Sequence, residues 1–339
     1  MEALHTKYRP KDWESVYGQD SVKKILQKQI ETGNIRNAYL FVGNSGCGKT
    51  TCARIFAKKV NNGLGNPIEI DAASNSGVDN VRNIVANASE RSIDCTYKVI
   101  IVDEVQSLSS QAWQAFLKCI EEPPAYTIFI FCTTEAKKIP QTIVNRVQRF
   151  NFTRIRTSLI KERLEYICRQ EGFYNYDESI DYISKLSNGG MRLAISLLDK
   201  CAGNSKDLSI TNVLSVLGEY SQDEFFNLVN AFVDDNEPEI IKIVENYYNS
   251  GNEISVFVDK LISFVLDVIK YTIFRNISLT MFTSANIDAL NYSTNFDNPT
   301  GYYNEVLDKL FKLKQEIKGD LNPLSMVEIV FLKIARGVN

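Results

Sequence analysis

The chain has very little histidine, and its cysteines follow no metal-binding or disulfide pattern. Its 339 residues include one histidine, His5, and seven cysteines, and no two cysteines form a C-x-x-C pair. This spacing does not match the usual zinc motifs, and an odd cysteine number does not suggest a disulfide framework. We therefore expect free thiols in a reducing cytoplasm and no zinc site.

Long hydrophobic runs are also missing. No segment approaches the roughly 18 apolar residues of a membrane-spanning helix, and the first residues contain no apolar core of a signal peptide. The content of 44% hydrophobic and 23% charged residues is typical of a globular protein with two or three domains. We therefore expect a cytoplasmic protein that neither enters a membrane nor is secreted.

The net charge of −3 is unevenly distributed. Residues 1–155 carry an excess of lysine and arginine, whereas residues 220–339 carry an excess of aspartate and glutamate. A basic surface can attract a polyanion such as nucleic acid. The charge distribution is therefore compatible with nucleic-acid binding, but it does not predict it.

The sequence does contain a complete phosphate-binding loop. Residues 43–50 fit the pattern G-x-x-x-x-G-K-[ST] and lie between an apolar run, 39–42, and a helix-like segment, 51–60. The glycines allow backbone N–H groups to surround phosphates, Lys49 adds positive charge, and the Thr50 hydroxyl can bind Mg²⁺. The residues that we predict to bind nucleotide here are Gly43, Asn44, Ser45, Gly46, Cys47, Gly48, Lys49, Thr50 and Thr51.

A second segment supplies carboxylates for the same site. Residues 98–104 form an apolar run that ends in Asp103 and Glu104, which predicts a buried parallel strand with acidic groups at its carboxyl end. Ligands of open α/β sheets bind at that end. We expect Asp103 to hold Mg²⁺ and Glu104 to polarise the attacking water, so the two segments together predict an ATPase.

The remaining pattern predicts the domain organisation. Apolar strand-like runs alternate with helical segments over residues 1–155, which predicts a doubly wound parallel α/β sheet. Residues 156–219 have helical periodicity and predict a small lid, and residues 220–339 predict a second helical domain. A polar, asparagine-rich stretch from about 284 to 300 predicts a loop within that domain.

Several further segments occur in the same order as in the gamma/tau subunits of bacterial DNA polymerase III. The most specific are residues 70–75, Ile-Asp-Ala-Ala-Ser-Asn, and the Glu-Glu-Pro-Pro segment at 121–124. The chain resembles this family of AAA+ sliding-clamp loader ATPases over about residues 5–219, and the rest resembles its oligomerisation collar in position and helical character. The resemblance implies an AAA+ P-loop NTPase with a helical lid and an all-α collar.

The resemblance also implies roles for individual residues. Thr134 matches sensor 1, a hydroxyl near the γ-phosphate, and Arg192 matches sensor 2 on the lid. Arg146 matches the arginine finger that reaches the ATP of a neighbouring subunit, although its neighbours are Asn145 and Val147 instead of serine and cysteine.

Two surfaces follow from the same resemblance. The adenine pocket would be lined by Tyr8, Arg9, Val16 and Tyr17. The backbone of primer-template DNA would be gripped, without base reading, by Gly77, Val78 and Arg82.

The resemblance therefore implies an ATP- and Mg²⁺-dependent subunit of a pentameric loader that opens a sliding clamp and places it on primed DNA. Only residues 61–67 stand where the family often has a zinc module, and the chain stops at Asn339, before the extension of longer members. We therefore expect either a short form of the family or a chain cut from a longer protein. Two alternatives share the same motifs, a AAA+ helicase or branch-migration motor and a scaffold subunit that binds nucleotide without hydrolysing it.

Overall fold

The computed structural model of the protein describes residues 2–92, 94–203, 205–217, 222–283, 286–317 and 322–337. The chain forms two compact units, Met1–Ser209 and Ile210–Asn339. The predicted lid, 156–219, begins within the first unit. Because residues 218–221 lie outside the described residues, the predicted boundary at 219/220 does too, and the division into three domains stays a prediction.

The first unit is built on one parallel sheet. Its strands are β1 (Ala38–Val42), β2 (Ile68–Asp71), β3 (Lys98–Asp103), β4 (Thr127–Thr133) and β5 (Gln148–Asn151). The strands lie in the order β2-β3-β4-β1-β5, and each neighbouring pair is parallel. This confirms the parallel α/β sheet that the alternation of strands and helices predicted.

Nine α-helices accompany the sheet among the described residues of this unit. They are α1 (Leu4–Lys7), α2 (Asp20–Thr32), α3 (Lys49–Val60), α4 (Val78–Ala88), α5 (Ser110–Glu121), α6 (Gln141–Val144), α7 (Thr157–Glu171), α8 (Asp177–Leu186) and α9 (Met191–Ala202). Short 3-10 turns cover Val105–Ser107 and Ala136–Lys138.

The sheet has a hydrophobic core on both faces because successive strand residues point to opposite sides. In β4, Ile128 and Ile130 pack with residues of α2 and α3, whereas Phe129 and Phe131 pack with residues of α4 and α5. All seven residues of β4 are buried. Burial on both faces explains why the central strands read as continuous apolar runs.

The strand order brings the chemically important chain segments together. The phosphate-binding loop follows β1, the acidic pair closes β3, and Thr133 closes β4. Because β4 lies between β3 and β1, the carboxyl ends of these three parallel strands meet at one edge of the sheet. The fold therefore brings together segments that are up to about 90 residues apart in sequence, at the edge where open α/β sheets bind their ligands.

The second unit is helical throughout its described residues. Its helices are α10 (Ile210–Leu217), α11 (Gln222–Val233), α12 (Glu237–Asn249), α13 (Ile254–Phe274), α14 (Ile287–Ser293), α15 (Pro299–Glu316) and α16 (Pro323–Ala335), with a 3-10 turn at Ile277–Leu279. Asn236, Asn298 and Asn322 cap α12, α15 and α16 through their side chains, and each of these helices has proline in its first turn. Asparagine caps followed by proline favour helix initiation, so the local sequence specifies where these three helices begin.

One prediction for this unit was wrong. The stretch 284–300 was expected to be a loop, but α14 occupies its centre. Leu290 is fully buried, and the Ser293 hydroxyl donates a 2.6 Å hydrogen bond to the Asn230 side chain. Packing of one helix face therefore outweighs the polar composition. Among helices of the described ranges, none is long and apolar enough to cross a membrane.

Candidate nucleotide-binding site

The phosphate-binding loop has the backbone geometry that its glycines permit. A Cβ on Gly43 would lie 2.5 Å from the carbonyl oxygen of Phe152, so only glycine fits there. Gly46 and Gly48 have φ of +71° and +102°, in the left-handed region that favours glycine. The Lys49 ammonium is buried and donates hydrogen bonds to the carbonyl oxygens of Gly43, at 2.7 Å, and Asn44, at 3.0 Å. The loop thus holds its lysine at the start of α3.

The loop and the acidic end of β3 touch directly. The Thr50 hydroxyl donates a 2.6 Å hydrogen bond to one carboxylate oxygen of Asp103. The other carboxylate oxygen of Asp103 accepts the backbone N–H of Glu104 at 2.9 Å. A hydroxyl and a carboxylate side by side are hard oxygen donors, and Mg²⁺ in nucleotide sites is held by such groups together with phosphate oxygens. The residues present therefore fit the predicted metal.

The predicted base, Glu104, belongs to a polar network that reaches the next strand. Its backbone has φ of 51°, a left-handed conformation that is uncommon outside glycine. The side-chain amide of Gln106 donates hydrogen bonds to the Glu104 carboxylate and, at 3.1 Å, to the Thr134 hydroxyl. The Gln106 carbonyl oxygen accepts the Thr133 hydroxyl at 2.8 Å. Sequence reasoning missed Gln106 because no motif marks it.

A cavity of about 230 Å³ lies against the loop. Its walls include residues 45–51, Asp103 and Glu104 from the sheet edge, and Arg192 from the lid segment. The predicted adenine-pocket residues Tyr8, Arg9, Val16 and Tyr17 also line it. Gly43 and Asn44 precede the part of the loop that faces the cavity, and neither Thr134 nor Arg146 is among the described residues that line it. The structure therefore gathers most of the predicted nucleotide-binding residues around one space.

The lid segment meets the loop at the first residue of α9. The Met191 N–H donates a 3.0 Å hydrogen bond to the Gly46 carbonyl oxygen. Arg192 follows in the first turn, where a positive charge opposes the helix dipole. Arg192 lines the cavity, where an anionic ligand would offset this unfavourable interaction with the helix dipole.

Arg163 is a second residue that sequence reasoning missed. It lies on α7, is 8% exposed and lines the cavity. Its guanidinium donates a 2.6 Å hydrogen bond to the Tyr8 carbonyl oxygen and lies 5.1–5.9 Å from the ring centres of Tyr8, Tyr17 and Tyr166. Burial, followed by a hydrogen bond with Glu171, raises the pKa of Tyr8 to about 12. Arg163 thus fastens the amino-terminal segment to α7.

Gln19 and Arg54 lie near the cavity and were not predicted as site residues. The Gln19 amide donates to the carbonyl oxygens of Cys47, at 3.2 Å, and Thr153, at 2.7 Å, and accepts the Thr153 N–H at 3.1 Å. Arg54 lines the cavity and forms an ion pair with Glu69. Both side chains contact residues that are distant in sequence, and local periodicity does not predict such contacts.

The residues predicted to act between molecules are held by neighbours in their own chain. The Arg146 guanidinium forms a 2.7 Å ion pair with Glu121 and donates to the Thr142 carbonyl oxygen at 2.8 Å. Arg82 pairs with Asp79 at 2.9 Å, and both side chains are largely exposed. Gly77 and Val78 stand at the start of α4, where no side chain caps the helix. These positions leave the predicted finger and DNA contacts as predictions.

The cysteines around the loop are buried thiols. Burial raises the pKa of Cys47, and it raises the pKa of Cys52 to about 12. Burial, with the Asp103 charge as a smaller cause, also places the pKa of Cys132 well above its ordinary value. All seven cysteines are free. Among the described residues, no group of three or more His, Cys, Asp or Glu side chains is arranged to hold a metal ion.

Comparison with known proteins gives the family. The model of "DNA polymerase III, delta subunit" matches residues 67–156, and the model of "DNA polymerase III subunits gamma and tau domain III" matches residues 208–338. DNA polymerase III subunit tau of Bacillus subtilis is 34% identical over 99% of this chain. The chain belongs to the gamma/tau family of DNA polymerase III subunits. The resemblance carried by the sequence motifs is thus confirmed.

Other relatives agree with this assignment. The gamma/tau subunit of Mycoplasma genitalium is 31% identical over 86% of this gamma/tau-family chain. The chain spans 63% of the Bacillus protein and 54% of the Mycoplasma protein, so it corresponds to part of each.

A solved structure described as the Thermotoga maritima RuvB Holliday junction branch migration motor is similar to 68% of this chain and 80% of its own, with a TM-score of 0.53 and 18% identity. Such a likeness concerns the fold alone. It fits the α/β AAA+ fold with a helical carboxyl-terminal part, which confirms the predicted fold class.

Proposed function

We propose that this gamma/tau-family chain is an ATPase subunit of a sliding-clamp loader and acts in DNA replication in the cytoplasm. The observation that carries the ATPase part is the 2.6 Å hydrogen bond between Thr50 and Asp103, which joins the phosphate-binding loop to the acidic strand end. The names of the relatives support the replicative part.

In the proposed mechanism, the loop binds the phosphates of ATP through its backbone N–H groups. Lys49 would exchange its carbonyl partners for phosphate oxygens, to which an ammonium group forms the stronger hydrogen bonds. Thr50 and Asp103 would hold Mg²⁺, which when bound neutralises charge on the phosphates. Glu104 would accept a proton from the attacking water, and Arg192 would bring the lid onto the phosphates.

We propose a mechanical cycle that uses these contacts. ATP binding would draw the lid and loop together and open the clamp around primer-template DNA, and hydrolysis would release the closed clamp. We propose that Gly77, Val78 and Arg82 follow the DNA backbone. Arg146 would leave Glu121 to reach ATP in the next subunit of a pentameric ring. Exposed ion pairs contribute only about 0–1 kcal/mol, so Glu121 would not prevent this exchange.

The test is the ATPase rate of the chain with its partner subunits, measured with and without a sliding clamp and a primer-template junction. We expect both additions to stimulate the rate, and native mass spectrometry to show a five-subunit ring. Glu104→Gln should reduce turnover to a small residual rate and leave ATP affinity unchanged. Duplex unwinding by a homohexamer would instead support the helicase or branch-migration motor. Nucleotide binding with no turnover in any assembly would support the scaffold subunit.

A further inference from the structure

Gln106 occupies the centre of the polar network at the sheet edge. It lies in the 3-10 turn directly after the acidic pair, two residues from Glu104. Its amide nitrogen reaches both the Glu104 carboxylate on the β3 side and the Thr134 hydroxyl on the β4 side. One side chain therefore joins the predicted base to the predicted sensor across two neighbouring strands.

The Glu104 carboxylate fixes the direction of the Gln106 amide, and Thr133 is its anchor. The Thr133 hydroxyl accepts the Glu135 N–H at 3.0 Å and donates to the Gln106 carbonyl oxygen at 2.8 Å. A flipped amide would turn its oxygen towards the Glu104 carboxylate, and two acceptor oxygens facing each other repel. The amide hydrogens are therefore assigned to Glu104 and Thr134, and the amide oxygen to the Thr133 hydroxyl.

The anchor is also rigid. Thr133 is fully buried at the end of β4, and its backbone carbonyl accepts the Gly43 N–H at 3.1 Å. A glutamate side chain has several rotatable bonds and gains a defined position only from its partners. The hydrogen bond from Gln106 thus connects Glu104 to the buried centre of the sheet.

We propose that Gln106 is a positioning residue for ATP hydrolysis, which fixes the Glu104 carboxylate relative to the Thr134 hydroxyl. The inference rests on the proposed ATPase function and deepens it. General-base catalysis requires the base within hydrogen-bond reach of the water proton, and small displacements reduce the rate strongly. Gln106 acts through Glu104, and it need not touch ATP itself.

The test compares Gln106→Ala with Gln106→Glu in the full chain, assembled with its partner subunits, with ATP and Mg²⁺. Alanine removes the hydrogen bonds, whereas glutamate keeps the shape but loses both donor hydrogens and adds a like charge beside Glu104. A hydrogen bond to a charged group corresponds to roughly a ten- to hundred-fold effect, so we expect kcat to fall by about that factor in each variant. KM for ATP should change less than about twofold. Gln111→Ala, on the exposed side of α5, is the matched control and should keep the wild-type kcat.

A double variant separates positioning from a general structural role. In the Glu104→Gln background, Gln106→Ala should produce no further loss of the residual rate, because the residue through which it acts is already changed. Wild-type kcat in Gln106→Glu, or a change confined to KM, would overturn the inference while the ATPase proposal stands. Loss of binding of a fluorescent ATP analogue in Gln106→Ala would also overturn the inference, because Gln106 would then be needed to keep the site folded. If the wild-type assembly has no ATPase activity, the proposed function itself fails, and the inference with it.

Discussion

Replacement of Gly46 by alanine tests whether the phosphate-binding loop and α9 must fit closely. Gly46 has φ of +71°, and a Cβ at this position would lie 3.3 Å from both the Cβ and the backbone nitrogen of Arg192. The Gly46 carbonyl oxygen also accepts the Met191 N–H at 3.0 Å. Alanine would therefore strain the loop and press on the first turn of α9.

The two effects can be separated with Gly33, which has φ of +67° and no heavy atom within 4 Å of an added Cβ. A left-handed alanine costs about 1–2 kcal/mol, so both variants should lose at least about that much free energy of unfolding. Only Gly46→Ala should also displace α9 and lose the hydrogen bond with Met191, which contributes about 0.5–1.5 kcal/mol. If nucleotide binding requires that contact to form again, the same free energy corresponds to a roughly two- to tenfold weaker affinity for ATP.

Urea denaturation followed by circular dichroism measures the first effect, and titration with a fluorescent ATP analogue in the presence of Mg²⁺ measures the second. We expect Gly33→Ala to bind the analogue like the wild type and Gly46→Ala to bind it more weakly. Equal affinity in the two variants would show that the contact between the loop and α9 has no part in nucleotide binding.

Further perturbations test other parts of the structure. Arg163→Ala should weaken binding of the ATP analogue more than Arg163→Lys does, because lysine keeps the charge beside Tyr8; equal affinities would contradict this. Phe131→Ala, at a fully buried site, should lower the free energy of unfolding by about 3–5 kcal/mol in urea denaturation, and a loss below about 1 kcal/mol would exclude tight packing. Iodoacetamide at pH 8 should modify half-buried Cys95 first, because burial raises the pKa of Cys52 to about 12 and keeps that thiol protonated. Peptide mass spectrometry of the native and the unfolded chain measures the order in which the cysteines are modified. Equal rates of modification of Cys95 and Cys52 in the native chain would contradict the prediction.

The parts of the fold that the sequence predicts best are those with short-range signals. The glycine pattern of residues 43–50 fixes a turn between a strand and a helix, and the apolar run before Asp103 indicates a strand buried on both faces. Both lie in the structure at the predicted places. The hydrogen bond between Thr50 and Asp103 then follows from the parallel strand order.

Other features depend on residues that are distant in sequence, so no local pattern predicts them. Gln106 is recognisable only once β4 lies beside β3, and Arg163 only once the amino-terminal segment lies against α7. In the second unit, burial of Leu290 makes a helix from a stretch that reads as a loop. The predicted trans role of Arg146 concerns a second molecule, which the fold of one chain does not include.

In the mechanism that we propose, Glu104 activates water against ATP held by the loop and Asp103. Rapid filtration of the assembled complex with ATP labelled at the γ-phosphate, comparing the wild type with Glu104→Gln, tests this step directly. We expect both proteins to bind equal amounts of label, the wild type to release labelled phosphate, and the variant to retain the label as intact ATP. Phosphate release at the wild-type rate from Glu104→Gln would contradict this mechanism.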